Sequence, residues 1–198
     1  MGLPTPEPAI IVLERELIDL IVDQSPARKA ALNESVGLNF GTKHLIGVST
    51  WPIDKAIPEE HFVIACEIFA FDALIQNPDR RYDNPNLFTR GDGFFVYDHE
   101  AAFSFLHDIW PAPDPWEIDG QRYLENHAFY KKLKSKPIEL DGFMEALRNL
   151  SDAEMTRILA EVPEEWENRD SLEKIVQHIV SVRDHVDEFT EAIRRILK

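Results

Sequence analysis

Apolar positions recur with two different periods along the chain and divide it into a strand-bearing first part and a helical second part. Pro4, Pro6 and Pro8 precede an apolar run over residues 9–13. Proline cannot donate to a sheet ladder, so this is an extended entry into a short strand. Residues 14–22 fit a short helix. Residues 24–36 carry turn formers without a clean period, and residues 37–49, with Phe40, Leu45, Ile46 and Val48 among glycines, fit strand or loop. The first strong helix spans 59–77. Pro58 precedes it, and Glu59 and Glu60 lie in its first turn, where carboxylates suit the positive end of the helix dipole. Phe62, Cys66, Phe69 and Ala73 mark one face. Val63, Ile68, Phe71 and Leu74 widen it until the helix is apolar nearly all round, which predicts a buried central helix.

A polar stretch over 76–86 follows. Short β-rich runs at 87–90 and 94–98 then flank Gly91-Asp92-Gly93, the pattern of a hairpin. Beyond a proline-rich loop at 111–116 the pattern becomes helical. Ser151-Asp152-Ala153-Glu154 is a capping box ahead of Met155, Ile158 and Leu159. Over 171–197 apolar residues keep helical spacing, from Leu172, Ile175 and Ile179 to Val186, Phe189 and Ile193. The expected class is α+β: a few short strands, a buried helix, a hairpin, then a helical half.

Composition narrows the function classes. The 198 residues carry 36 acidic and 21 basic side chains, a net charge of −15. Nucleic-acid affinity comes mostly from Lys and Arg neutralising phosphates, so nucleic acid is not the expected partner. A polybasic membrane patch is not evident either, and no apolar run approaches the ~20 residues that span a bilayer. The first eight residues have no basic region and no long apolar region, which speaks against a signal peptide. Cys66 is the single cysteine. It allows neither an internal disulfide nor a cysteine-based zinc site, and a cytoplasmic location fits.

The chemistry concentrates in Asn77-Pro78-Asp79-Arg80-Arg81-Tyr82-Asp83-Asn84-Pro85-Asn86 and, after the hairpin, Tyr97-Asp98-His99. The buried helix delivers Asp79 into a polar loop. Asn84 follows five residues later, and the hairpin returns Asp98 at the end of its second strand. A loop and a strand end joined by a tight hairpin can converge. Phosphoryl transfer needs such parts: an Asp to orient a hydroxyl and take its proton, and an Asn and a second Asp to hold magnesium, which takes hard oxygen ligands and keeps several waters.

These segments resemble the catalytic and metal-binding segments of HipA-like kinases, and a similar loop occurs in phosphoinositide-type kinases. The resemblance extends to Gly2-Leu3-Pro4, Phe40-Gly41, Ile68-Phe69-Ala70-Phe71-Asp72 and Pro163-x-x-Trp166. It implies a protein-kinase-like fold, with residues 1–57 a truncated N-lobe of short strands and 58–198 a mainly helical C-lobe. It implies ATP and Mg2+, with transfer to a Ser or Thr hydroxyl. Asp79 would be the catalytic base, Arg80 its structural or phosphate-facing partner in the loop, and Asn84 and Asp98 the magnesium ligands. Asn86 is a second amide with a poorer spacing, and Arg81 stands where relatives often have His. Family kinases carry a nucleotide-binding lysine upstream of the Gly-Leu-Pro segment. Lys29, Lys43 and Lys55 have no such context, so the nucleotide contacts stay unassigned. Besides nucleotide, the implied partners are a protein substrate or a separate chain supplying the N-lobe. A non-catalytic, pseudokinase-like binding module is the alternative.

Each residue also has a plainer reading. Asp79 and Asn84 fit a polar turn, Asp98 a strand-end cap, and Arg80 and Arg81 surface charges balancing Asp79 and Asp83. His99 fits a structural loop residue, and His178 and His185 the ordinary surface of a helix. Cys66 and the tryptophans fit packing, and the acidic residues of 161–167 a solvated face.

Overall fold

The computed structural model describes residues 2–21, 25–52, 54–91, 93–107, 113–166 and 168–198. Asp92 of the turn, Trp110, Pro111 and Ala112 of the loop, and Glu167 of the acidic cluster lie outside the described residues. The chain divides into two compact units, Pro6–Ile46 and Met1–Thr5 with Gly47–Lys198.

In the smaller unit β1 (Pro8–Leu13) pairs antiparallel with β2 (Gly37–Thr42), Pro8 opposite Thr42 and Leu13 opposite Gly37. Helices α1 (Arg15–Leu20) and α2 (Pro26–Glu34) connect them. The segment 24–36, expected as turns, is therefore largely helix. Its start is set by a cap and not by an apolar period. The Ser25 hydroxyl accepts from the Arg28 N–H at 3.3 Å, and Pro26 supplies the first helical residue. No residue of α2 is buried, so no apolar face exists to leave a period.

In the larger unit β3 (Ser49–Thr50), β4 (Leu87–Arg90) and β5 (Gly93–Val96) form an antiparallel sheet in that order. The β4–β5 hairpin is the expected one. A 3-10 turn at Glu59–His61 leads into the central helix α3 (Phe62–Leu74). Ala65, Cys66, Ile68, Phe69, Ala70, Ala73 and Leu74 are buried there, as its apolar circumference requires. Helices α4 (Tyr130–Leu133), α5 (Asp141–Arg148), α6 (Asp152–Leu159), α7 (Arg169–Asp184) and α8 (Val186–Ile196) follow. Ser151 caps α6 as the box predicts, accepting from the Glu154 N–H at 3.1 Å. Phe69, Phe94, Phe129, Phe143 and Phe189 share one core. Each such ring buried contributes about 1.5–3 kcal/mol, and Phe69→Ala would cost about 3–5 kcal/mol.

Two boundaries differ from the expected ones. Helix α3 stops at Leu74, short of residue 77. The Asn77 N–H bonds the Asp72 carbonyl at 2.9 Å, the Gln76 N–H bonds the Ala73 carbonyl at 3.3 Å, and Gln76 is left-handed with φ of 47°. That is a Schellman ending, in which a reversed residue satisfies the last carbonyls. The helical stretch over 171–197 is also two helices, broken at His185. This corrects the surface reading of two histidines. His178 is buried, donates from Nε2 to the Leu74 carbonyl at 2.7 Å and stacks on Phe105. His185 stacks on Trp116 with ring centroids 3.6 Å apart. A seven-residue spacing identifies one helix face but not whether that face is covered.

Candidate functional site

The Schellman ending aims the chain out of α3 into the 77–86 loop. Asn77 holds it there: its Nδ2 donates to Asp72 Oδ1 at 3.1 Å, and its Oδ1 accepts from the Asp79 N–H at 3.1 Å. Further along, the Ala128 N–H bonds the Arg80 carbonyl and the Tyr82 N–H bonds the Asn126 carbonyl, which pins the loop to the segment before α4.

Asp79 is the hub of the loop. Its Oδ1 accepts from Arg81 Nη1 at 2.7 Å, and its Oδ2 accepts from Asn84 Nδ2 at 2.8 Å and from Asn86 Nδ2 at 3.0 Å. A carboxylate has about four acceptor positions. Two donors fill Oδ2 and one engages Oδ1, so the open position is on Oδ1. The side chain is 24% exposed, enough for a small group to reach it.

Arg80 lies wholly inside, which corrects the surface reading. Its side chain is 0% exposed and its Nε donates to Asp72 Oδ2 at 2.6 Å. Its Nη1 donates to the Asn86 and Tyr97 carbonyls, and its Nη2 donates to His99 Nε2 at 2.9 Å. One guanidinium thus ties the end of α3 to the loop and to the chain leaving β5. The bonds that Arg80 makes are all to groups of the chain itself. Arg81, by contrast, is 43% exposed and bridges Asp79 and Asp83, as surface charges do.

Asp98 lies two residues beyond β5, not at its last position. It is exposed and left-handed, with φ of 57°, which Asp tolerates better than most residues. Arg80 grips the carbonyl of Tyr97 and the ring of His99 on either side of it. The Tyr97 N–H also bonds the Asn86 carbonyl at 3.3 Å. Asp79 and Asn84 are therefore in direct contact, and Asp98 joins them through Arg80 and Asn86. Among the described residues its carboxylate makes no hydrogen bond to either.

The supporting network escapes a motif reading. Asp72 is buried, and its Oδ2 also accepts from His127 Nε2 at 3.0 Å. Burial alone would raise the Asp72 carboxyl, but the Arg80 charge and the His127 hydrogen bond outweigh it and hold the carboxyl below its usual range. The Phe129 N–H donates to His127 Nδ1, which puts the proton on Nε2. Burial lowers the His127 pKa and keeps the ring neutral despite Asp72. His99 must accept from Arg80, so it too is neutral, its pKa lowered by burial and by the Arg80 charge. The available signal was Asp72 itself: a carboxylate among Ile68, Phe69, Ala70, Ala73 and Leu74 of the buried helix requires a buried cation.

The donor set fits magnesium. Asn84 spends its amide N–H on Asp79, which leaves its amide oxygen turned elsewhere, and Asp98 supplies an exposed carboxylate. Both are hard oxygens of the kind Mg2+ takes beside phosphate and water. Asn86 is buried at 3% exposure with its amide on Asp79, so its role is to hold that carboxylate. Among the described residues no group of three or more His, Cys, Asp or Glu is placed to hold a metal, and no helix is long and apolar enough to cross a membrane.

The loop built around Asp79, Asn84 and a buried arginine lies in a kinase-type domain, a class that the family of the chain supplies. The chain matches the HipA-like kinase family over residues 1–193, nearly its whole length, and belongs to that family. No curated protein and no solved structure matches it significantly.

Proposed function

We propose that this chain is the kinase-type domain of a phosphotransferase that moves a phosphoryl group from ATP to a Ser or Thr hydroxyl of a protein. The observation that carries the reading is the Asp79 carboxylate, fixed by three side-chain donors with one position left on Oδ1. An acceptor hydroxyl would hydrogen-bond that position. As its oxygen attacks the terminal phosphorus, the bond to the nucleoside diphosphate breaks and the hydroxyl proton passes to Asp79 Oδ1. Asn84 and Asn86 hold the carboxylate in place during this step. Asn84 and Asp98 would hold Mg2+, which when bound supplies charge neutralisation for the phosphates. Arg80 positions both halves of the site. The kinase-like lobes, 1–57 and 58–198, belong to this proposal.

The test is magnesium-dependent transfer of label from γ-labelled ATP to serine- and threonine-containing proteins, wild type against Asp79→Asn. Transfer that survives Asp79→Asn unchanged overturns the role of Asp79. A second reading, a pseudokinase-like binding module or one chain of a two-chain kinase, draws on the lysines. Lys43 is paired with Glu7 at 3.1 Å, and Lys55 lies over the Trp51 ring. Nucleotide binding without transfer would favour that reading.

A further inference from the structure

A cleft of about 430 Å³ opens among Arg81, Tyr82, Asp83, Glu125 and Lys131, with Asn126 and His127 also in its wall. Arg81 links the cleft to Asp79, since it lines the cleft and its Nη1 bonds Asp79 Oδ1 at 2.7 Å. The rim beyond it has a charge unlike the rest of the molecule. Lys131, Lys132, Lys134 and Lys136 fall within six residues of a chain whose net charge is −15.

Several of the other cations are paired with carboxylates. Arg80, Arg81, Arg148, Arg157, Arg183, Arg194 and Arg195 each bond an internal carboxylate. Among the described residues none of the four lysines does so within 4.0 Å. Lys131 lies 5.0 Å over the Tyr82 ring, Lys132 donates to the Lys55 carbonyl, Lys134 to the Tyr130 hydroxyl, and Lys136 lies over Phe62. Of the acids nearby, Asp83 pairs with Arg81 and Asp54 accepts from the Tyr82 hydroxyl, while Glu125 attracts Lys134 from a distance. Burial lowers the Lys132 pKa; the Asp54 carboxylate opposes that shift and the Lys136 charge adds to it. A row of unpaired cations beside a site is a docking surface for anions. On so acidic a chain it would repel nothing but other cations locally, while the remaining surface repels acidic partners.

We propose that the Lys131–Lys136 rim and the cleft below it dock an acidic segment of the protein that carries the acceptor hydroxyl. This rests on the phosphotransferase reading for the hydroxyl but not for the docking. The acidic side chains would lie along the lysines and feed the neighbouring Ser or Thr past Arg81 to Asp79.

The experiment measures anisotropy of a fluorescent peptide of about twelve residues, glutamates around one central serine, without nucleotide. Matched peptides carry glutamine or lysine in place of glutamate. Wild type should bind the acidic peptide in preference to both, with affinity falling as salt shortens the Debye length. Lys131→Glu, and Lys131→Glu with Lys134→Glu, should weaken binding at least about tenfold. Arg157→Glu with Lys174→Glu, a distant pair of equal charge change, should leave it within about twofold. Melting curves of all variants and the milder Lys131→Gln separate lost docking from lost folding. Equal binding of the three peptides, equal loss in the distant pair, or tighter lysine-dependent binding of a single-stranded oligonucleotide would overturn the proposal. Lysine-dependent peptide binding with no label transfer supports the docking and removes the phosphotransferase reading alone. Label transfer indifferent to Lys131 removes the docking alone.

Discussion

Arg80 Nε and Asp72 Oδ2 lie 2.6 Å apart with both side chains fully buried, eight residues apart in sequence and on opposite sides of the Schellman turn. Two charges taken out of water cost about as much as their attraction returns, so such a pair is not kept for net stability. What it provides is register. Asp72 belongs to the rigid helix, and Arg80 reaches from it to Asn86, Tyr97 and His99. The residues that contact Asp79 and flank Asp98 thereby hang from one anchor in the core.

Removing one partner strands the other. Arg80→Met or Asp72→Leu should each lose about 3–5 kcal/mol in urea unfolding. The double variant should lose clearly less than the sum, because no charge is left unpaired. Additive losses would mean that the two side chains act independently.

The Asp79 carboxylate is partly exposed and its removal leaves no buried charge. Asp79→Asn should lower transfer by about 10²–10⁴-fold, the usual contribution of a general base, with the melting temperature within a few degrees of wild type. Asn86→Ala should lower transfer while leaving nucleotide affinity within about twofold, since that amide holds Asp79 and not the metal. Steady-state rates beside a binding titration separate the two.

The sequence exposed the loop chemistry well because Asp79, Asn84 and Asn86 sit within one turn-rich stretch and contact each other locally. It exposed the hairpin and the α6 cap for the same reason. It left Arg80 undecided between a loop partner and a surface charge, because its burial depends on Asp72 in α3 and on His99, 19 residues away. His178 and His185 were misplaced on similar grounds: their partners Leu74 and Trp116 are remote in the chain. Helix α2 left no trace in the apolar pattern because it buries nothing, although Ser25-Pro26 marked its start.

Acid should weaken the fold in two steps. The folded pKa values of His99, His127 and His178 are lowered, chiefly by burial. The unfolded chain therefore binds protons first, and stability falls as pH drops below about 6.5. For His127 the slope reaches at most about 1.4 kcal/mol per pH unit. The folded Asp72 pKa is lowered too, so its contribution holds above its unfolded pKa and is lost only at still lower pH. Urea denaturation between pH 7.5 and 5 checks the first step, and a flat profile would mean the rings are not held neutral.

Cys66 is buried in α3, and burial pushes its thiol up to about 11. Thiolate is the reactive form, so the native protein should react with a disulfide reagent at pH 8 only through unfolding. The rate should rise steeply across the urea transition. Rapid stoichiometric reaction of the native chain would mean that α3 opens readily.

The most direct measurement is calorimetric titration of wild type, Asn84→Ala and Asp98→Ala with ATP, with and without magnesium. Wild type should bind ATP more tightly when magnesium is present. Each variant should lose at least about tenfold of that magnesium-dependent affinity, while its magnesium-free binding stays unchanged. Magnesium-dependent binding of undiminished strength in both variants would contradict the assignment of Asn84 and Asp98 as the metal-holding pair.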